Sequence, residues 1–188
     1  MEQNTAKTEY PKVVDDALLA RIAAGDREAF HFLYQAIAQN IYGFSLSITK
    51  NPHDAEDVVQ ETLLAVYRHA HTYRGQGKPM AWIFTIARNF SLKHLQLSRR
   101  VDSLDDLQDL EGDGLSRISA VEQRMVLQAV LRTLSEQEQQ IVMLHAVHGM
   151  KNREISEILH IPLNTVLSKY HRALKKLRKQ MEGAHYDE

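Results

Sequence analysis

Residues 152–171 constrain this chain most, because they match two short helices joined by a tight turn. The first segment, NREISEILH, opens on Asn152, a good N-cap. Its apolar residues share one helix face: Ile155, Ile158 and Leu159. Pro162 ends the pattern, because proline lacks the amide donor that an interior turn needs, and Asn164 or Thr165 is predicted to cap the next helix. This layout is typical of a helix-turn-helix DNA-binding motif.

The second of these helices has a polar, basic free face. Its core side is predicted to carry Val166, Tyr170, Ala173 or Leu174, and Leu177. Six Lys and Arg residues and no acid lie between Leu163 and Met181. A solvated helix end can also be basic, since cations are favoured near a helix C-terminus. The turn and the small polar residues at the helix start favour DNA, because those residues reach base edges. The predicted DNA-contacting residues are Asn164, Thr165, Leu167, Ser168, Lys169, His171 and Arg172.

Composition limits the classes of function. With 188 residues the chain can form one large or two small domains, and without cysteine it has no disulfide or thiolate site. The sequence has no apolar run of membrane-spanning length and no secretory pattern, so we expect a cytoplasmic protein with no membrane insertion. Because the net charge is −1, few phosphates would be neutralised, and binding to free DNA should be weak without a partner.

The rest of the chain is predicted to be helical, since no segment alternates apolar and polar residues over a strand's length. Asn51 and Pro52 form a helix entrance for the segment NPHDAEDVVQETLLAVYRHA. Acids in a first helical turn, such as Asp54 and Asp57, are explained by the helix dipole alone. Gln60 and Glu61 continue this polar surface beyond the first turn, which the dipole does not explain. We therefore predict a polar docking face for another protein, made of Asp54, Asp57, Gln60 and Glu61.

Aromatic and basic residues surround the glycine-bearing loop TYRGQGKP, residues 72–79. Such mixtures hold single-stranded nucleic acid, because aromatic faces stack on bases while cations track phosphates. Taken without its context, Trp82 beside Ile83 is more typical of a core residue. The predicted strand-binding set is Tyr73, Arg74, Lys78, Trp82 and Arg88.

A change in charge composition near residue 99 divides the chain into predicted domains. Within residues 99–120, six acids lie between Asp102 and Asp113 and no base follows Asp102 until Arg117. This range is predicted to be a flexible acidic linker that could extend over about 75 Å. The predicted divisions are a disordered tail (1–14), a first helical domain (15–98), the linker (99–120), a helix-turn-helix domain (121–182) and a C-terminal tail (183–188).

An enzyme is poorly supported by the sequence. The pairs His69 with His71 and His145 with His148 have no third ligand nearby, so no metal or other cofactor is predicted. No nucleophile, base and orienting group have a recognisable spacing. No GxxxxGK[ST] phosphate-binding loop is present either.

Four segments in order resemble the extracytoplasmic-function (ECF) class of bacterial RNA polymerase sigma factors. They are DAEDVVQET (54–62), AWIFTIARN (81–89), LSEQEQQIVML (134–144) and EISEILHIPLNTVLSKYHRALKKLR (154–178). The resemblance implies a two-domain sigma factor that docks on the coiled coil of the largest polymerase subunit through Asp54, Asp57, Gln60 and Glu61. The loop 73–81 and the following helix would hold the non-template strand of the minus-10 element, with one base drawn out of the stack.

By the same resemblance, the helix that begins at Asn164 would bind the minus-35 element in the major groove. Core RNA polymerase, with its largest and second-largest subunits, promoter DNA and an anti-sigma factor are the implied partners. Leu167 and Lys169 stand where many relatives have a basic residue and arginine, so the promoter sequence does not carry over. A different hypothesis is a stand-alone regulator that binds duplex DNA through the helix-turn-helix, usually as a dimer.

Overall fold

The computed structural model describes residues 14–75, 77–102 and 133–183. Within these ranges every regular element is helical, as predicted, and none is a strand. The elements are α1 (Asp16–Ala23), α2 (Arg27–Thr49), α3 (Pro52–His69), a 3-10 turn (Ala70–Thr72), α4 (Pro79–Asp102), α5 (Glu136–His148), α6 (Asn152–Leu159) and α7 (Leu163–Gly183). Most of the two predicted tails, most of the predicted linker and residues 121–132 lie outside the described residues.

Side-chain caps set the starts of α1, α2 and α3. The Asp15 carboxylate accepts the Leu18 amide at 2.8 Å, and Asn51 accepts the His53 amide at 2.9 Å before Pro52 begins α3. Asp26 accepts two amides of the first turn of α2, at 3.0 Å each. The hydrogen bond from the Ala29 amide, followed by that from Arg21, lowers the pKa of Asp26. These short polar residues satisfy amides that have no partner within the helix.

Helices α1 to α4 form the first module, packed around a largely apolar centre that also buries the hydroxyl residues Ser45, Thr62 and Ser91. The rings of Phe44 on α2 and Phe84 on α4 meet edge to face with centroids 5.3 Å apart, and both are almost completely buried. Helix α4 continues to Asp102, past the predicted boundary at residue 98, because Ser98, Arg99 and Arg100 do not interrupt a helix. The module also buries Leu18, Leu19, Ile22, Leu33, Ile37, Ile41, Val58, Val66, Ile83 and Ala87.

Helices α5 to α7 form the second module. Ser135 and Glu138 make the reciprocal capping box that their spacing predicts, and Gly149 ends α5 with a left-handed φ of 59°. His160 ends α6 in the same left-handed region, with φ 52°. Residues from all three helices are buried: Ile141, Leu144, Ile155, Ile158, Leu159, Val166 and Ala173.

The predicted caps of α6 and α7 are wrong. Lys151 is the N-cap of α6, and its amide donates to the Glu154 carboxylate at 2.8 Å, so Asn152 lies in the first turn. Helix α7 begins at Leu163, because the Pro162 carbonyl accepts the Thr165 and Val166 amides at 2.9 and 3.1 Å. A backbone carbonyl that the sequence pattern does not reveal thus replaces the expected Asn164 or Thr165.

The two modules are in contact. Helix α2 packs against α5, α4 packs against α6, and one apolar cluster runs through both modules. The approach is closest at Gly43 of α2, where an added Cβ would lie 2.6 Å from the Met143 Cε. Gly43, which has no side chain, therefore lies at the contact between the two modules.

Candidate functional site

The aromatic and basic loop of the first module borders a pocket of about 330 Å³. Tyr73, Arg74, Lys78 and Trp82 line it, so the structure brings together four of the five residues of the predicted strand-binding set. The Tyr73 and Trp82 rings lie 5.4 Å apart, and each is partly buried against the apolar cluster. Trp82 therefore both packs on the core and borders the pocket.

Asp16, at the start of α1, fixes the shape of this loop. Its carboxylate accepts the Tyr73 hydroxyl at 2.8 Å and the Gly77 amide at 2.9 Å, and the Lys78 amide donates to the same hydroxyl at 2.9 Å. Gly75 and Gly77 have φ values of 59° and 67°, in a region that glycine adopts without strain. The loop is thus held by a residue distant in sequence that the pattern of motifs did not single out.

The fifth predicted residue, Arg88, lies outside the pocket lining and faces the second module. Its Nη2 donates to the Leu159 carbonyl at 3.3 Å, at the C-terminus of α6, and burial lowers the pKa of its guanidinium. Glu157 and Ile158 of α6 complete the pocket wall, with the Glu157 Oε2 3.7 Å from the Lys78 Nζ. The predicted strand-binding surface is therefore covered along one side by the helix-turn-helix.

The predicted docking face on α3 is partly tied to α4. Asp57 and Gln60 are exposed, whereas Asp54 and Glu61 face His94, whose side chain is 15% exposed. The His94 Nδ1 lies 3.3 Å from the Asp54 Oδ1, and its Nε2 lies 3.1 Å from the Glu61 Oε2. Ser98 also donates to Asp54, at 3.1 Å. Asp54 and Glu61 are therefore held by contacts with α4, whereas Asp57 and Gln60 on the same helix are exposed.

The His94 contacts require particular proton positions. An ionised carboxylate only accepts, and a neutral imidazole has one N–H, so both contacts are hydrogen bonds at once only when both ring nitrogens carry hydrogen. The Lys93 ammonium lies 3.9 Å from the second oxygen of Glu61 and adds positive charge beside it. The face therefore combines a fixed, partly compensated pair of acids with an exposed polar pair.

The free face of α7 carries the predicted DNA-contacting residues. Asn164, Ser168, His171 and Arg172 are exposed. Thr165, Leu167 and Lys169 are partly exposed. Val166 and Ala173 are fully buried on the opposite side, which decides between Ala173 and Leu174, since Leu174 is 41% exposed. All seven predicted residues thus reach the surface in one module.

One lysine of α7, Lys176, forms an ion pair within the second module and links α7 to α5. The Lys176 Nζ lies 2.7 Å from the Glu138 Oε2, whose side chain is 5% exposed. Burial alone would raise the pKa of Glu138, but hydrogen bonds from Lys176 and Ser135 outweigh it, and the net result is a lowered pKa. The stacked rings of His145 and Tyr170, 4.3 Å between centroids, add a second link between α5 and α7.

The described ranges hold neither a metal-binding cluster nor a membrane-spanning helix. No group of three His, Cys, Asp or Glu residues there could hold a metal ion. None of the helices in that part of the chain combines the length and the apolar character that a bilayer crossing requires.

Each of the two modules matches a known family profile. The profile described as Sigma-70 region 2 matches residues 33–101, and that described as Sigma-70, region 4 matches residues 124–177. The chain belongs to the sigma-70 family. Its relatives place it in the ECF class, and it functions as an alternative sigma factor. The family is one of transcription initiation factors and is not known as a family of enzymes.

The similar proteins are aligned over nearly their full lengths. RNA polymerase sigma-H factor of Pseudomonas aeruginosa is 27% identical over 181 residues, covering 89% of this chain and 94% of that protein. ECF RNA polymerase sigma factor SigL of Mycobacterium tuberculosis is 29% identical over 166 residues, covering 86% and 94%. ECF RNA polymerase sigma factor SigW of Bacillus subtilis is 24% identical over 177 residues, covering 87% and 94%.

Two solved structures share the fold. CnrH in complex with the cytosolic domain of CnrY has a TM-score of 0.61 at 21% identity, covering 90% of this chain and 97% of that one. The sigma factor RpoE of Bartonella quintana, in complex with the anti-sigma factor NepR, has the same TM-score and identity, covering 81% and 96%.

Sequence reasoning did not identify several residues of these surfaces. Asp16, His94 and Ser98 contact predicted site residues that are 33 to 57 positions away in sequence. The pattern of the helix-turn-helix does not reveal the role of Glu157, because its contact with Lys78 joins two separate modules. A lone acid at a helix start or a lone histidine in a helix gives no local signal of its partner.

Proposed function

We propose that this sigma factor divides promoter recognition and polymerase docking among three surfaces. The acidic face of α3 docks on core polymerase, the loop pocket holds the non-template strand of the minus-10 element, and the free face of α7 binds the minus-35 element. The observation that carries the proposal is that each set of predicted residues, apart from Arg88, lies together on one surface, although each was inferred from a separate motif.

Docking is assigned to Asp54, Asp57, Gln60 and Glu61. The exposed Asp57 and Gln60 are available to a partner, and the carboxylates of Asp54 and Glu61 are held in place by His94. Two fixed acids lose little side-chain entropy on binding a basic or polar surface, which favours a specific register over diffuse attraction. The coiled coil of the largest polymerase subunit is the proposed partner.

Strand capture is assigned to Tyr73, Arg74, Lys78, Trp82 and Arg88. A pocket bordered by a tyrosine, a tryptophan and two cations suits an unstacked base and its phosphates. Opening about ten base pairs costs on the order of 14 kcal/mol, from about 1.4 kcal/mol per stacking step. Without a nucleotide-hydrolysing motif in the sequence, binding energy shared with polymerase must supply that work.

Duplex recognition is assigned to Asn164, Thr165, Leu167, Ser168, Lys169, His171 and Arg172 of α7. The first turn of such a helix enters the major groove, where amide, hydroxyl and cationic groups can bind base edges. We further propose a cytoplasmic location, where polymerase and promoters are found. We also propose control by an anti-sigma factor, by analogy with the Bartonella RpoE and NepR pair.

The decisive experiment reconstitutes the purified chain with core RNA polymerase and fragmented genomic DNA. Sequencing the 5′ ends of the transcripts should give a set of start sites that share two upstream motifs, which would also define the promoter. Core enzyme alone, on the same DNA, is the control. Start sites indistinguishable from those of core enzyme would contradict the proposed function. Tight, specific duplex binding by the chain without polymerase would instead support the stand-alone regulator.

A further inference from the structure

A histidine of α4 lies between two acids of the proposed docking face. The His94 Nδ1 is 3.3 Å from the Asp54 Oδ1, and its Nε2 is 3.1 Å from the Glu61 Oε2. The two acids lie about two turns apart on one side of α3. Because the side chains of His94 and Asp54 are only 15% and 21% exposed, this bridge is largely shielded from water. One ring therefore fixes two separate turns of α3 against α4.

Two neighbours of His94 on α4 each contact one of the same acids. The Ser98 hydroxyl donates to the second oxygen of Asp54 at 3.1 Å. The Lys93 Nζ lies 3.9 Å from the second oxygen of Glu61, but its side chain is 59% exposed, so this attraction is weak. Ser98 thus holds Asp54 and Lys93 approaches Glu61, whereas the His94 ring contacts both acids.

The bridge depends on the charge of the ring. A neutral imidazole has one N–H and one lone pair, so one of the two carboxylates would face a lone pair. The doubly protonated ring donates to both carboxylates, and hydrogen bonds between charged groups are about twice as strong as neutral ones. Imidazole is the side chain that ordinarily changes its charge between about pH 5 and pH 8. The arrangement of the two acids is therefore linked to a single proton.

A charged ring leaves the docking face acidic. Besides His94, the charged side chains at this place are Asp54, Glu61, Lys93 and the exposed Asp57. When the ring is charged, three acids are set against two cations, so one negative charge remains uncompensated. Each carboxylate also has several lone-pair positions, and a single hydrogen bond from the ring leaves others open to a partner. The ring can thus fix two acceptors without removing the attraction for a basic surface.

We propose that His94 is a positioning residue for polymerase docking: its doubly protonated ring holds the carboxylates of Asp54 and Glu61 in the arrangement that the partner binds. This role rests on the proposed docking function of α3. Ordering a side chain is an entropic cost of binding, and a residue that orders two acids beforehand removes part of that cost. The affinity for core polymerase should therefore be about twofold to tenfold higher with the charged ring than with the neutral ring.

Three substitutions separate the shape of the ring from its protons. His94→Phe keeps a flat ring and deletes both nitrogens. His94→Gln keeps a neutral amide with N–H donors, and His94→Arg carries several N–H donors and a charge that does not titrate. The matched control is His31→Ala, which removes an exposed histidine of α2 whose described side-chain contact is with Gln35 on the same helix.

Docking is measured by fluorescence anisotropy of the full-length chain, titrated with core RNA polymerase at about pH 6 and at about pH 8. Because the chain has no cysteine, the fluorophore is placed on Lys179→Cys, at an exposed position of the second module. The affinity of each protein is divided by that of His94→Phe at the same pH, which removes any pH dependence of the polymerase itself. Circular dichroism and thermal melting at both pH values check that each variant is folded.

The parent should bind core polymerase about twofold to tenfold more tightly at the lower pH on this scale. His94→Arg should keep the low-pH affinity at both pH values. His94→Gln should show an intermediate affinity that does not change with pH, and His31→Ala should follow the parent. A pH dependence that persists unchanged in His94→Arg would contradict the assignment of the proton to this ring.

Two further measurements distinguish positioning from a purely structural role. In the free chain, the ring-nitrogen NMR signals that His94→Phe removes should report two protonated nitrogens at about pH 6. In a Glu61→Gln background, which lacks one of the two carboxylates, His94→Phe should weaken docking less than it does in the parent. A residue that only stabilised the fold would weaken docking equally in both backgrounds, and that result would contradict the proposed role.

The positioning role is overturned if His94→Phe docks as tightly as the parent at both pH values. It is also overturned if the affinity of the parent rises toward pH 8, because the charged ring would then compete with polymerase for the acids. Asp57→Lys in the same assay tests the docking face itself. If Asp57→Lys weakens docking and His94→Phe does not, the positioning role alone is wrong, whereas unchanged affinity in both variants would remove the proposed docking face as well.

Discussion

Removal of the Asp16 carboxylate should loosen the strand-binding loop while leaving the helices in place. Asp16→Ala deletes two acceptors, one for the Tyr73 hydroxyl at 2.8 Å and one for the Gly77 amide at 2.9 Å. A hydrogen bond to a charged group contributes about 1.5–3 kcal/mol. Water replaces part of the loss here because Asp16 is only partly buried. We therefore expect the loop to lose about 1–2 kcal/mol in total, with a roughly 5- to 30-fold rise in its open population.

Amide hydrogen exchange and transcription measure this effect. Exchange at Gly77 and Lys78 should accelerate by about that factor, relative to amides in the centre of α2. Transcription from a duplex promoter should fall severalfold. A template with a pre-opened minus-10 region should lose less, because its opening cost is already removed.

Asp15→Ala is the matched control. It removes a neighbouring carboxylate that caps α1 through the Leu18 amide, at a typical cost of about 1 kcal/mol. The two variants should therefore have similar melting temperatures, but only Asp16→Ala should change loop exchange and open-complex formation. Equal effects of the two variants on transcription would refute the role assigned to Asp16. They would show that both variants act through the overall stability of the protein.

Three further changes address the other surfaces. Asp57→Lys with Glu61→Lys should weaken binding to core polymerase at least tenfold in a co-elution or anisotropy assay while the helical circular dichroism is kept, and unchanged affinity would argue against the docking face. Lys169→Ala with Arg172→Ala should reduce promoter-directed transcription and leave polymerase assembly unchanged, whereas loss of assembly would contradict the division between surfaces. The lowered pKa of Glu138 adds stability that is complete above the ordinary carboxyl pKa, about 4.3, and is lost as pH falls through the lowered value. Glu138→Gln should therefore cost about 1–2 kcal/mol at pH 7 and less at pH 3, and a pH-independent difference in thermal melting would oppose this.

Local sequence patterns predicted the helices and their termini where the relevant groups are close in sequence. The Asn51 and Pro52 entrance to α3 was confirmed, and Ser135 and Glu138 form the capping box that their spacing indicates. Each depends on atoms within a few residues, so spacing alone contains the information. The start of α7 was not predicted, because the Pro162 backbone carbonyl accepts the Thr165 and Val166 amides and any residue type could provide such a carbonyl.

Contacts between distant segments could not be predicted in the same way. Helical periodicity places Asp54 and Glu61 on one side of α3, but only the packing of α4 brings His94 between them. Likewise, the choice for Trp82 between core and ligand surface had no answer in sequence, because the residue occupies the boundary of both. Such positions are decided by the angle between helices, which no single periodic pattern specifies.

The charge distribution of this near-neutral chain favours weak attraction for free DNA. Lysines on the first module face acids of the second, as in Lys78 with Glu157 and Lys50 with Glu136. These pairs are half exposed and individually weak, so they do little to hold the modules together. They do cancel the field that would otherwise attract phosphates over a Debye length of about 8 Å. Loss of both contacts would free both cations at once, so the attraction of this surface for DNA depends on the contact between the modules.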